Sequence, residues 1–196
     1  MEYITVDHTQ LCYRGKPIRL RGFGIGTWMN LEHFMIGLPT SEEVIRATYG
    51  KVYGSVQEKT FFYEFQTHFF NEEDAKLLEE CGINFIRVPF NYRLFIDDND
   101  CNQYKREGFR CFDRLFEVCR KHGIFVLIDL HTTPGGQNPD WHSDNSFGVP
   151  LFWKYQLLRK QMTCLWREIA RRYKAEPSLM GYDLLNEPAM GDWVGL

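Results

Sequence analysis

Between Phe112 and His131 the chain reads Phe112-Asp113-Arg114-Leu115-Phe116-Glu117-Val118-Cys119-Arg120-Lys121-His122-Gly123-Ile124-Phe125-Val126-Leu127-Ile128-Asp129-Leu130-His131. Two hydrophobic periods meet in it. Phe112, Leu115, Phe116 and Cys119 recur at i, i+3, i+4 and i+7, the stripe of an amphipathic helix. Lys121, His122 and Gly123 then supply the cationic last turn and the glycine stop. Ile124 to Leu130 is apolar almost throughout, as a strand buried on both faces must be, and such strands are parallel ones covered by helices.

The same grammar repeats on either side. Asn71 is an N-cap candidate, with Glu72, Glu73 and Asp74 suiting the positive end of a helix dipole. That helix stops at Gly82, and Ile83 to Phe90 follows as a strand. A third helix is predicted from Phe152 to Tyr173, burying Leu158, Met162, Leu165, Trp166, Ile169 and Tyr173. Pro177 breaks it, and Leu179 to Leu185 reads as the next strand. With an earlier strand over 18–26, four β units emerge, three of them preceded by helices. Right-handed crossovers then make a parallel sheet in an α/β fold. The whole of 1–196 reads as one domain, with strands near 18–26, 83–90, 124–130 and 179–185 and an insertion loop over 31–70.

A doubly wound sheet and part of a (β/α)8 barrel both fit this order. The barrel is favoured because Trp28 and Asn30, Asn91 and Tyr92, His131, and Asn186 with Glu187 fall at the C-terminal ends of successive strands, the face where barrels carry their sites. A doubly wound sheet gathers its ligand at one crevice. Gly22-Phe23-Gly24-Ile25-Gly26 opens no clear helix, so a nucleotide-binding reading is weak. A barrel takes about 250 residues. The expectation is therefore that 1–196 holds the first four βα units and that the native polypeptide continues, the alternative being association with another copy. The aromatic insertion (Phe61, Phe62, Tyr63, Phe65, Phe69, Phe70) either walls a cleft or forms a satellite core.

Composition sets the outer limits. A formal charge of -3 over 196 residues gives no electrostatic reason to expect nucleic acid or an anionic membrane as partner. No apolar run has the length of a membrane span. The opening Met1 to Asp7 lacks a basic n-region and an apolar core, so a cytoplasmic location is expected, the alternative being secretion after removal of a leader; these residues read as a short strand entering a turn near Arg14-Gly15-Lys16-Pro17. Six cysteines without a Cys-x-x-Cys pair read as reduced packing residues.

The chemistry concentrates in Tyr182-Asp183-Leu184-Leu185-Asn186-Glu187-Pro188. A strand delivers Glu187 to the rim, and Pro188 biases it toward an extended backbone. A glutamate in a partly desolvated cleft can serve as a general acid. Arg87 inside an apolar strand needs an anionic partner. It either steadies a catalytic carboxylate or forms a structural pair with Asp129 or Asp183. His131 could bind a hydroxyl, ligate a metal with His142, or satisfy a loop; the spacing is not that of a helical His-x-x-x-His pair, so neither metal nor cofactor is expected. Trp28 and Trp141 are either sugar-stacking platforms or core residues.

Together, Leu20-Arg21-Gly22-Phe23-Gly24, Gly82-Ile83-Asn84-Phe85-Ile86-Arg87-Val88-Pro89, Asp129-Leu130-His131 and Leu185-Asn186-Glu187-Pro188 resemble glycoside hydrolase family 5, the cellulase family of retaining (β/α)8 glycosidases, over about residues 17–190. Pro134-Gly135-Gly136-Gln137-Asn138 after His131 is similar to the exo-β-1,3-glucanase branch. The resemblance implies hydrolysis of a β-glucoside or β-glucan, with a saccharide as substrate. It makes Glu187 the acid/base, puts Asn186 on the sugar 2-hydroxyl, has Arg87 orienting the nucleophile, and lines the attacked sugar's subsite with His131. The family's nucleophile, a glutamate ending the seventh strand, is expected beyond residue 196. Asp129 and Asp183 lie before the rim and are not its substitutes. The alternative is a catalytically inactive carbohydrate-binding or scaffold fragment.

Overall fold

The computed structural model describes residues 3–190; Met1 and Glu2 of the expected first strand, and the residues after 190, lie outside them. The chain opens on a small antiparallel sheet of β1 (Thr5–Asp7), β2 (Gln10–Tyr13) and β3 (Lys16–Pro17). The turn read at Arg14-Gly15 is a two-residue hairpin, both residues at positive φ, 54° and 68°.

A parallel sheet of β4 (Gly22–Gly24), β5 (Phe85–Asn91), β6 (Phe125–Thr132) and β7 (Leu179–Asp183) follows, in that spatial order. Strands adjacent in space are successive in the chain, with no reversal. A doubly wound sheet needs a reversal to create its crevice, whereas a barrel winds in one direction. The sheet and its helices are thus the N-terminal part of a (β/α)8 barrel. The first strand is shorter than expected: β4 spans three residues, and the stretch after it returns to β5 only through a bridge between Met29 and Phe90. Gly22 is required here, since a Cβ would lie 1.7 Å from the carbonyl oxygen of Phe85.

The loop expected over 31–70 is instead mostly helical: α1 (His33–Ile36), α2 (Glu42–Tyr53) and α3 (Ser55–His68). Its aromatics hold the α2–α3 pair together. Tyr49 stacks on Phe61 at 5.0 Å, Phe62 is buried, and the Arg46 guanidinium lies 3.8 Å above the Phe62 ring. Scattered aromatics looked like loop because the helical stripe is weak; burial against the neighbouring helix supplied what the pattern lacked. Then come α4 (Glu72–Glu80) and α5 (Arg106–Lys121). Asn71 caps α4 as expected, accepting from the Glu73 N–H at 2.7 Å while Asp74 accepts from the Asn71 N–H at 2.9 Å. Gly82 and Gly123, at φ 71° and 64°, turn the chain from each helix into β5 and β6.

The helix predicted over 152–173 is two: α6 (Leu151–Lys154) and α7 (Gln156–Tyr173), broken where Tyr155 is extended. The Trp153 indole donates to the Gln137 carbonyl at 2.8 Å, drawing α6 to the rim. Arg159 Nη1 takes up the carbonyls of Phe152 and Trp153 that the break releases. The core lies between the sheet and α5 and α7, with Ile86, Val88, Phe90, Phe112, Val126, Ile128, Leu165 and Ile169 all fully buried. All six cysteines are free, and Cys12, Cys111 and Cys119 are buried. Among the described residues no helix is long and apolar enough to cross a membrane.

Candidate active site

The C-terminal rim of the sheet opens a cleft of about 430 Å³ lined by Arg87, His131, Trp141, His142, Asn186 and Glu187, with Phe34 and Met35 of α1 on its wall. Five of the six expected site residues therefore meet. Arg87 is the hub. Its Nη2 lies 3.0 Å from Asp129 Oδ2, 3.1 Å from Asp183 Oδ2 and 2.8 Å from Asn186 Oδ1. Both structural partners named from the sequence are thus engaged at once. Asp129 is fully buried and reaches His131 Nδ1 at 2.6 Å. A carboxylate there calls for a proton on Nδ1, leaving Nε2 as acceptor. The Asn186 amide nitrogen stands 3.4 Å from that Nε2. Arg87, Asp129, His131 and Asn186 form a closed ring of polar contacts. Burial pushes the Asp129 carboxyl above the ordinary aspartate range, against the opposing pull of His131 and Arg87.

Glu187 follows β7 at the rim, with its side chain 68% exposed and its Oε2 2.9 Å from His142 Nε2. Its backbone corrects one expectation: φ is 42°, left-handed rather than extended. The bias from Pro188 is overridden by hydrogen bonds from the loop after β6. Gln137 Nε2 donates to the Asn186 carbonyl and Asn138 Nδ2 to the Glu187 carbonyl, each at 3.0 Å, and the Ala189 N–H donates to Gln137 O at 3.1 Å. A non-glycine residue held at such a φ costs of order 1–3 kcal/mol and persists only where its surroundings fix it.

Trp28 is a correction of another kind. It is 3% exposed, its indole N–H donates to the Gln66 carbonyl at 2.9 Å, and its ring stacks on Phe69 at 6.2 Å. No face is left for a sugar; it joins the helical insertion to the core. Trp141 does line the cleft, edge-on to His33 at 3.6 Å. The histidines proposed as a metal pair have ring centroids 6.1 Å apart, and among the described residues no three His, Cys, Asp or Glu side chains cluster as metal ligands. The contacts of His142, Gln137 and Asn138 went unforeseen; the Pro134–Asn138 run was the signal.

A larger recess of about 780 Å³ lies between α2–α3 and the segment from Asn91 to α5. Several of its charged groups are paired within it. Asn91 Nδ2 reaches Asp144 Oδ2 at 2.9 Å and Glu42 Oε2 at 3.3 Å, Arg93 pairs with Asp144, and Arg46 Nε lies 2.7 Å from Glu42 Oε1. Chemistry is therefore assigned to the smaller cleft, where a carboxyl group is exposed.

Fold and site together define a parallel-barrel protein with Asn-Glu on the rim after its fourth parallel strand. The sequence model of the cellulase family, glycosyl hydrolase family 5, matches residues 53–194, and the chain belongs to that family. It is 42% identical over 189 residues to a Beta-xylosidase of Phanerodontia chrysosporium, covering 96% of this chain and 40% of that protein. It is 30% identical to Endoglucanase C of Acetivibrio thermocellus, covering 67% of this chain and 36% of the relative. Among solved structures, a rutinosidase from Aspergillus niger superimposes with a TM-score of 0.67 at 17% identity, over 87% of this chain and 49% of that one, a likeness of fold. The chain thus spans well under half the length of these curated relatives.

Proposed function

We propose that the full-length protein hydrolyses a β-glycosidic bond, of the β-glucoside or β-glucan class, by retaining double displacement with Glu187 as general acid/base. The observation that carries this reading is a carboxyl group presented on the rim of a family 5 barrel sheet, beside Asn186 and His131 in one cleft. In the first step Glu187 gives its proton to the glycosidic oxygen as the C1–O bond breaks; in the second it takes a proton from the attacking water. The nucleophile is a second glutamate beyond residue 196, about 5 to 5.5 Å from Glu187 as retaining chemistry requires. Asn186, tied by its Oδ1 to Arg87, turns its amide nitrogen toward His131 and the cleft, where it meets the sugar 2-hydroxyl. Arg87 carries positive charge to the cleft floor and orients the nucleophile. His131, fixed by Asp129, lines the attacked sugar's subsite, and Trp141 offers a stacking surface beside it.

Glu187→Gln in the full-length protein should remove most turnover of β-glucosides with poor leaving groups, by about 10² to 10⁴ fold. Aryl glycosides with good leaving groups should be turned over again when azide replaces the base-assisted water. Unchanged hydrolysis of a β-glucan would dismiss the assignment. Saccharide binding without hydrolysis in wild type would instead support an inactive binding protein.

A further inference from the structure

Glu187 is held twice over by one short loop, and the second hold is on its reacting group. The loop from Thr133 to Asn138 fixes the main chain of Asn186 to Ala189, as described above. Four residues after Asn138, His142 reaches the carboxyl itself, Nε2 to Oε2 at 2.9 Å. His142 is well placed to do so because its own segment is tied down. Asn30 Nδ2 donates to the His142 carbonyl at 3.4 Å, Ser143 Oγ to the Asn138 carbonyl at 3.1 Å, and Asn145 Nδ2 to the same carbonyl at 2.9 Å. The His142 side chain is 17% exposed where Glu187 is 68% exposed, so the imidazole is the fixed partner and the carboxyl the movable one.

We propose that His142 is a positioning residue for Glu187: its Nε2–H donates to the carboxylate and keeps it on the cleft side of the rim. The proposal rests on the acid/base reading of Glu187 and adds how that group is aimed. A glutamate with three free side-chain torsions on a left-handed residue otherwise samples solvent, and proton transfer needs the oxygen within hydrogen-bond reach of the glycosidic atom. Asn138 Nδ2 stands 3.1 Å from the same Nε2 but donates to the Glu187 carbonyl, leaving the imidazole proton for Oε2. The other charged or titratable groups lining the cleft with the pair are His131 from β6 and Arg87 from β5, both engaged with Asp129, together with Glu32 before α1.

Two amide substitutions in the full-length protein separate reach from polarity. In H142Q the amide reaches the Nε2 position; in H142N it falls short. On a β-glucoside with a poor leaving group, H142N should lose about tenfold in kcat with KM within about twofold. H142Q should stay within about threefold of wild type. Equal behaviour of the two variants, or a wild-type kcat in H142N, would overturn the proposal. An independent readout needs no change at His142: the Nε2 resonance of His142 should move between wild type and E187Q while that of His122 stays, and a stationary His142 signal overturns the contact. Full activity in E187Q on poor leaving groups defeats the acid/base reading itself, and the positioning role with it.

Discussion

At the scale of single residues, the cleft shows how a charged side chain survives in an apolar strand. Arg87 offers one guanidinium nitrogen, Nη2, to two carboxylates and an amide, while its Nε also reaches Asp183 at 3.3 Å. Arg87→Ala would leave Asp129, fully buried, with His131 as its remaining partner. A loss of about 3 kcal/mol is expected in urea unfolding of the full-length protein. Arg87→Lys should fall between, because an ammonium keeps a charge near Asp129 but has no second nitrogen to reproduce the Nε contact with Asp183. Equal stability of wild type and Arg87→Ala would mean the ring of contacts is ornamental. The sequence marked Arg87 because it breaks an apolar pattern inside a strand, and His131, Asn186 and Glu187 because each does so at or just past a strand's end. It could not mark His142 in this role, since the contact joins residues 45 positions apart and depends on how one loop folds over another strand. Trp28 failed for a related reason: periodicity brings a ring to the rim but does not say whether α3 will cover it.

At the scale of elements, the helical insertion is attached to the rim by buried charge. The Glu43 N–H at the start of α2 donates to Asp144 Oδ1 at 2.7 Å, and the Leu31 N–H donates to Glu42 Oε2 at 3.0 Å. Asp144 belongs to the loop that carries His142, so the insertion and the Glu187-holding loop share an anchor. Burial pushes Asp144 up to about 6 in spite of Arg93, from about 3.9 in an unfolded chain. The folded protein therefore holds this proton where the unfolded one has lost it, and the stability contributed falls as pH rises from about 4 to about 6. Asp144→Asn removes that titration. Unfolding free energy measured across this window should decline more steeply in wild type than in the variant; parallel curves would contradict the assignment. The insertion's helices were not legible because their apolar stripe is weak: Phe61 and Phe62 meet Tyr49 of the partner helix, while Tyr63 turns to Arg110 of α5. By contrast α4, capped by Asn71, stood close to its predicted bounds, and α5 ended at its predicted glycine stop, although its start at Arg106 carried no cap signal.

At the scale of the molecule, sheet order was the deciding observation. Four parallel strands in sequential order wind one way, so each strand end contributes to the same face. That geometry is why a glutamate after the fourth strand, an arginine in the second and a histidine ending the third share a cleft. It also sets the stereochemical prediction. If a second carboxyl group completes the site at retaining distance, the first sugar product has the β configuration of the substrate. Following the anomeric proton by NMR during the first minutes of hydrolysis checks this. An initial α product would require a wider separation, about 6.5–9.5 Å, and an inverting mechanism.

The amino-acid sequence by itself determined the alternation of helix and strand, the parallel sheet, the barrel-type rim and the polar residues set upon it. These follow from local periods and caps, which neighbouring residues enforce without help from afar. Only the tertiary structure decided which of those residues touch, which tryptophan is buried, and that Glu187 is gripped through its carbonyl and carboxyl by the loop after β6. Such facts depend on the approach of segments far apart in the chain, and packing, not pattern, fixes that approach.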